Sequence, residues 1–401
     1  MSGGDGQQCC GDGSMMIRWL NIGFRPDFET ELQGMQAAGG ADDAWLQINH
    51  RLTFKFSGLP GDEKKRLQEW FRDMGVFTVS GNTHELLASF PAENRLREFL
   101  KDGPEYLSGI RHSLKQVKEG METSTWEFST NNGKLKIDRP LIMGILNITP
   151  DSFSDGGKFP DPESAVEYGR QMVEQGAGII DMGAESTRPG AEAVPLQEEW
   201  RRIEPVLKKL RKKVDVPISM DTYKAEIARR ALSEGADIIN DISGMTFDEK
   251  MVSVAARFKS PVIMMHIKGT PRNMHKNPAY KNLMEEIFQY FEKRIEYARQ
   301  NGVTQIIIDP GIGFGKRWQD NYEILRRLSE FRVFGVPLLL GPSRKSFIQK
   351  VDAVPAAERL PGTIAAVTAG ILQGAAILRV HDVKEGKQAA AVARGIASLK
   401  A

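Results

Sequence analysis

A chain of 401 residues is long for one domain, so a large domain with something smaller beside it is the first expectation. Lys and Arg number 54 against 52 Asp and Glu, and the formal charge of +2 gives no whole-chain argument for a nucleic-acid or membrane partner. No apolar run approaches a bilayer span and no signal-peptide pattern opens the chain, so a cytoplasmic setting is expected.

Residues 1–14 are small, polar and Gly-rich and are expected to form a disordered leader, with Met15 or Met16 as an alternative start. Cys9 and Cys10 are the only cysteines; neighbouring thiols rarely pair, and a metal role would need a second ligand pair. Residues 15–121 read as a small α+β domain. Strands are expected at Arg51–Phe56, Val76–Ser80 and Leu86–Phe90, and helices at Gly61–Arg72, Asn94–Lys101 and Tyr106–Lys118. No cluster of carboxylates or histidines and no phosphate loop marks that domain; an interaction or regulatory role is the default. Next, Thr125–Ser129 and Lys134–Ile137 flank Asn132-Gly133, a dipeptide suited to a tight hairpin turn, and such a hairpin would plug the bottom of a barrel.

From Leu141 onward short apolar strands alternate with amphipathic helices. The expected strands are Leu141–Thr149, Gly178–Ala184, Pro217–Thr222, Ile238–Ser243, Pro261–Ile267, Gln305–Pro310, Pro337–Pro342 and Ile377–Val383. Helices with charged outer faces lie between them, as in Gln197–Lys213 and Tyr280–Asn301. The pattern predicts a (β/α)8 TIM barrel over residues 122–401, whose site lies where strands hand over to helices. An open doubly wound sheet would want a Gly-rich fingerprint after its first strand, and there is none.

Polar residues stand at every strand end. They are Asn147, Asp181, Asp221, Asn240 with Asp241, Met265 with His266, Asp309, the run Ser343–Ser346, and Arg379 with His381. The first strand opens onto a Gly-ended loop, NITPDSFSDGG, and the second onto GAESTRPGA.

NITPDSFSDGG, ESTRPGA, Asp221-Thr222, IND, DPGIGFGK, SRKSF and RVHDV occur here in the order of one known family, and over about residues 134–401 the chain resembles dihydropteroate synthase. The resemblance implies condensation of 6-hydroxymethyl-7,8-dihydropterin diphosphate with para-aminobenzoate, giving 7,8-dihydropteroate and pyrophosphate in folate biosynthesis. Asp221, Asn240, Met265, Asp309, Phe314 and Lys345 are then the pterin pocket. Carboxylates accept charge-assisted bonds from the pterin's N–H groups, Lys345 donates, and Met265 and Phe314 cover the ring. Arg379 and His381 would bind the departing diphosphate, and Asn147 would offer one oxygen to a magnesium ion that arrives with it. Asp221 and Asp155 would offset positive charge at the pterin methylene. Phe153, Thr187, Arg188, Pro189 and Ser346 carry over as the para-aminobenzoate pocket, with Ser346 near the start of a helix. Ile148, and Ala184 where many relatives carry Gly, are small departures that remove no functional group. A homodimer through the Ala-rich last helices, Gly362–Gly374 and Lys384–Leu399, is expected, and sulfonamides should compete with para-aminobenzoate. Two alternatives are a pterin-binding methyltransferase, which needs no diphosphate site, and a catalytically silent barrel that serves as a binding partner.

Overall fold

The computed structural model describes residues 15–19, 53–80, 84–149, 161–186 and 193–398. Two compact units emerge, Met1–Glu122 and Thr123–Ala401.

In the first unit, strands β1 (Met16–Trp19), β2 (Thr53–Ser57), β3 (Phe77–Ser80) and β4 (Leu86–Ser89) form an antiparallel sheet in the order β1-β2-β4-β3. Helices α1 (Gly61–Asp73), α2 (Glu93–Asp102) and α3 (Ser108–Glu122) accompany it. Strand β1 went unpredicted, because four residues carry too little periodicity to declare themselves. It pairs with β2, leaving β2 central, and Thr53, Phe54, Lys55 and Phe56 are all buried despite the polar-apolar alternation. Lys55 is compensated by Glu85 at 3.0 Å. Phe54, Phe71, Phe90 and Phe99 pack edge to face at centroid separations between 5.1 and 6.0 Å and form the core.

The second unit opens with the hairpin β5 (Trp126–Thr130) and β6 (Gly133–Ile137). Its turn is Asn131–Asn132, not Asn132-Gly133, since Thr130 pairs with Gly133 across the ladder. The reason is docking. Asn131 donates to the carbonyls of Leu232 and Ala236, and Asn132 donates to Gly235 and Asp237, so both amides are spent on the barrel floor. Phe128, Leu135 and Ile137 then pack with Met143, Ile179, Ile238, Ile263, Ile307, Leu339 and Ile377, which closes the bottom of the barrel.

The barrel strands are β7 (Leu141–Asn147), β8 (Ile179–Gly183), β9 (Ile218–Asp221), β10 (Ile238–Asp241), β11 (Val262–Met265), β12 (Ile306–Asp309), β13 (Leu339–Leu340) and β14 (Ile377–Val380). They form an 8-stranded sheet in the order β12-β11-β10-β9-β8-β7-β14-β13, and the bridge Ile308↔Leu338 brings its two ends together. The expected barrel is borne out. Each strand is two to four residues shorter than its expected span, and β13 contracts most: it keeps two paired residues because Pro337 and Pro342 bracket it without N–H groups for a ladder.

The helices are α4 (Pro162–Gln175), α5 (Leu196–Arg211), α6 (Ala225–Ser233), α7 (Met251–Phe258), α8 (Leu283–Gln300), α9 (Trp318–Arg326), α10 (Ser346–Gln349), α11 (Leu360–Leu372) and α12 (Val383–Ser398). Helix α4 shows how local chemistry sets their limits. Asp161 caps it by accepting from the N–H groups of Glu163 and Ser164, Pro162 stands at the first position, and Gly176 ends it at φ 107°. Every barrel strand so leaves its carboxyl end at one rim.

Candidate active site

At that rim the parallel register sets Asn240 beside Asp221 and Met265 beside Asp309. Asp181, on β8, is fully buried, and Asn240, Met265 and Asp309 are nearly so. Arg379, from β14, reaches between two of these tips. Its Nε donates to Asp181 Oδ2 at 2.6 Å and its Nη2 to Asp221 Oδ2 at 2.7 Å. Asn240 Nδ2 donates to both oxygens of Asp181, at 3.2 and 3.1 Å. Asp181 therefore orients a cation and an amide at once, although only its position at a strand end had marked it beforehand. Such a part-buried pair is held by geometry and by completed hydrogen bonds, because desolvating the Asp181 charge is costly.

The next group comes from the segment after β13. Lys345 points its ammonium at the Ile312 carbonyl and lies 4.5 Å from the Phe314 ring centroid. Gly313 makes room for it: a Cβ there would fall 2.9 Å from Lys345 Cδ. Phe314 packs with Met265 in a small apolar cluster that includes Ile242, Ile267 and Met274. The Asp309 carboxylate is aimed by the N–H of Gly311, 2.7 Å away.

Burial decides the titration of these groups. It raises Asp221 and Asp309 above the usual carboxylate range, against the pull of Arg379 on the first and of Lys345 on the second. It lowers Lys345 to about 8, with Asp309 opposing. For Arg379, burial works against the charge, but Asp181 and Asp221 outweigh it and keep the guanidinium firmly protonated. The site is thus one electrostatic unit in which no charge stands alone.

The diphosphate candidates lie on neighbouring segments. His381 follows β14, and its Nδ1 is 2.9 Å from Ser343 Oγ. The Arg379 fork, expected for phosphate, is instead engaged by Asp181 and Asp221. Nη1 alone is left without a hydrogen bond among the described residues. Asn147 closes β7 at the same rim, paired in register with Gly183. Among the described residues no three His, Cys, Asp or Glu side chains gather as a metal cage. A single hard amide oxygen suits an ion that keeps its waters and takes its other ligands from a bound phosphate.

Of the expected second-substrate pocket, only Ser346 is described. It opens α10, a helix of 4 residues separated from α11, and so stands at a helix start as expected. Phe153, Asp155, Thr187, Arg188 and Pro189 lie outside the described residues. Flanking the last three, Lys224 binds Glu185, Glu199 and the Val194 carbonyl, while Tyr223 donates to Glu185 at 2.6 Å. That network went unread in the sequence, as did Lys316 of DPGIGFGK. Buried and lowered to about 7 by desolvation, Lys316 braces the Phe314 and His266 carbonyls at 3.0 and 3.2 Å.

With this geometry in hand, likeness to known proteins narrows the chemistry. A family model described as pterin binding enzyme matches residues 143–381, within the second unit. A dihydropteroate synthase of Synechocystis sp. is 50% identical over 258 residues, which are 64% of this chain and 89% of the relative. Among solved structures, the Yersinia pestis dihydropteroate synthase with a sulfonamide drug complex aligns with a TM-score of 0.65 at 40% identity, covering 68% of this chain and 100% of that one. The Xanthomonas albilineans enzyme in complex with 7,8-dihydropteroate aligns with a TM-score of 0.63 at 35% identity, covering 69% of this chain and 100% of that one.

Proposed function

The chain belongs to the dihydropteroate synthase family of pterin-binding enzymes, and from that premise we propose that its second unit joins 6-hydroxymethyl-7,8-dihydropterin diphosphate to para-aminobenzoate. The observation that carries this is the set of oxygens the rim leaves available. Asp221 spends one oxygen on Arg379, Asp309 spends one on Gly311, and Asn240 spends its amine on Asp181. Each keeps an oxygen acceptor without a partner among the described residues. A pterin edge, with its ring N–H and exocyclic amine, is rich in donors, so it completes what these three residues lack. Lys345 supplies the one donor the pterin carbonyl or ring nitrogen needs, while Met265 and Phe314 cover the ring faces.

In the reaction the aniline nitrogen forms a bond to the pterin methylene carbon. The carbon–oxygen bond to the diphosphate breaks, the electron pair leaves with pyrophosphate, and the amine gives up a proton. Arg379, through Nη1, and His381 would meet the departing anion, so the guanidinium charge and both donors would act on what develops in the transition state. Asn147 would hold magnesium there, which when bound would neutralise part of the leaving group's charge. Asp221, and Asp155 by family resemblance, would balance positive charge at the methylene. Para-aminobenzoate is nucleophilic without a strong base and chiefly needs placement, assigned by resemblance to Phe153, Thr187, Arg188, Pro189 and Ser346.

No helix among the described residues is long and apolar enough to cross a membrane, and a cytoplasmic homodimer completes the proposal. Exposed Leu372, Val392 and Ile396 on α11 and α12 support pairing through those helices, which sedimentation of the full chain decides. For the activity itself, purified chain with magnesium, the pterin diphosphate and para-aminobenzoate should release pyrophosphate and form dihydropteroate in equal amounts, with sulfonamides competing against the aminobenzoate. Folded protein that yields no product above background contradicts it.

A further inference from the structure

Two consecutive residue pairs lock the segment after β13 to the end of β14. In the first, Ser343 Oγ meets His381 Nδ1 at 2.9 Å and also accepts the His381 N–H at 3.2 Å. In the second, the Arg344 guanidinium grips Asp382 as a fork, with Nε 3.0 Å from Oδ2 and Nη2 on Oδ1. Arg344 has no place in the chemistry described above, yet it stands between Ser343 and Lys345.

Its backbone is unusual. Arg344 has φ 56°, in the left-handed region that costs a residue with a side chain. Strain of this kind persists only where surrounding bonds over-determine it. Here they do: the Arg344 N–H donates to Thr363 Oγ1 at 2.9 Å, its carbonyl accepts from Arg359 Nη1 at 3.0 Å, and Asp382 holds its side chain. Neither the turn nor the end of β14 can drift without breaking one of these contacts. Lys345, by contrast, has a separate support in the Ile312 carbonyl and the Phe314 ring.

We propose that the Arg344–Asp382 fork is a positioning device that sets the spacing of Ser343 and His381 relative to Arg379, and through it the fit of the site for a diphosphate. The proposal rests on the function given above, and it separates two halves of the site. The corner that receives phosphate depends on the fork; the grip on the pterin ring, built on β9, β10 and β12 and on the separately supported Lys345, does not.

The test uses the full chain and the variants Arg344→Gly, Asp382→Asn and the double variant. Glycine accepts the left-handed backbone, so Arg344→Gly removes the fork without adding strain. Titration with inorganic pyrophosphate in magnesium, titration with unphosphorylated 6-hydroxymethyl-7,8-dihydropterin, and steady-state kinetics are the readouts. Each single variant should weaken pyrophosphate binding and kcat/KM by about tenfold or more, with the double variant no worse than either single one. Affinity for the unphosphorylated pterin should stay within about twofold of wild type. Wild-type pyrophosphate affinity in the single variants, equal losses for both ligands, or additive losses in the double variant would each overturn the proposal. If wild-type protein makes no dihydropteroate while pyrophosphate binding still follows the fork, the assigned reaction fails and the positioning role stands.

Discussion

Arg379 has its Nε on Asp181 and its Nη2 on Asp221, and this arrangement accounts for much of the site's chemistry. The guanidinium keeps its charge in a half-buried place because two carboxylates are already there, and those carboxylates stay ordered because Arg379 is. Replacing Asp181 by Asn keeps the volume and removes the charge that aims Arg379 and Asn240. We expect kcat/KM to fall on the order of tenfold to a hundredfold, with substrate affinity and turnover both affected. Unchanged kinetics in that variant would show that Asp181 serves stability only. Lys345 makes a second prediction at this scale. Its pKa is lowered to about 8 by burial, so the ammonium carries its charge below that pH and loses the charge, and with it the charge assistance of its hydrogen bonds, above it. The pH profile of kcat/KM for the pterin diphosphate should therefore show an alkaline limb near pH 8, and Lys345→Arg should remove that limb whatever activity it retains. A profile flat through pH 9 would separate Lys345 from pterin binding. The strand-end carboxylates, amide and cations were legible because such groups at successive strand ends have few other uses. Asp181's task was not, since its partner Arg379 lies 198 residues away and no local pattern joins them.

At the scale of elements, the strand positions were readable because each is a short apolar run set between turn residues, and apolar burial is what a central parallel strand requires. The ends were less so. β13 contracts between its two prolines, and the β5–β6 turn shifts by one residue because its asparagines serve the barrel floor rather than the hairpin alone. Tertiary docking of that kind is invisible to turn propensity. The β12 exit shows an element fixed by a single residue. Gly311 has φ 71°, and a Cβ on it would fall 2.0 Å from the His266 carbonyl oxygen. The backbone there must move before any side chain fits, and the N–H that aims Asp309 moves with it. Gly311→Ala is expected to cost about 2 kcal/mol or more in urea unfolding, and to weaken pterin binding as well. A variant as stable as wild type, with its pterin affinity intact, would show that the β11 exit yields easily.

Across the whole molecule, the family likeness lies within one of two units. The model matched at residues 143–381 leaves Met1–Glu122 outside it. That first unit has an aromatic core and a four-stranded sheet, but among its described residues no cluster of metal-ligating side chains. Its fold class was legible from periodicity, apart from β1. What it does was not, because packing residues identify a core and say nothing of a partner. In the second unit function was legible early because the chemistry sits in contiguous motifs at strand ends, where sequence order and spatial order around the rim coincide. The segments 150–160 and 187–192, which carry the remaining motif residues, fall outside the described structure.

The central claim is that strand-tip acceptors grip a pterin while a neighbouring cationic corner takes its diphosphate. Calorimetric titration of 6-hydroxymethyl-7,8-dihydropterin diphosphate, with magnesium, into wild-type chain and into Asp309→Ala tests it most directly. The account predicts one site per chain in the wild type and an affinity lower by roughly tenfold to a hundredfold in the variant, as expected for losing charge-assisted hydrogen bonds. Equal affinity in the two proteins, or no binding by folded wild type, would contradict it.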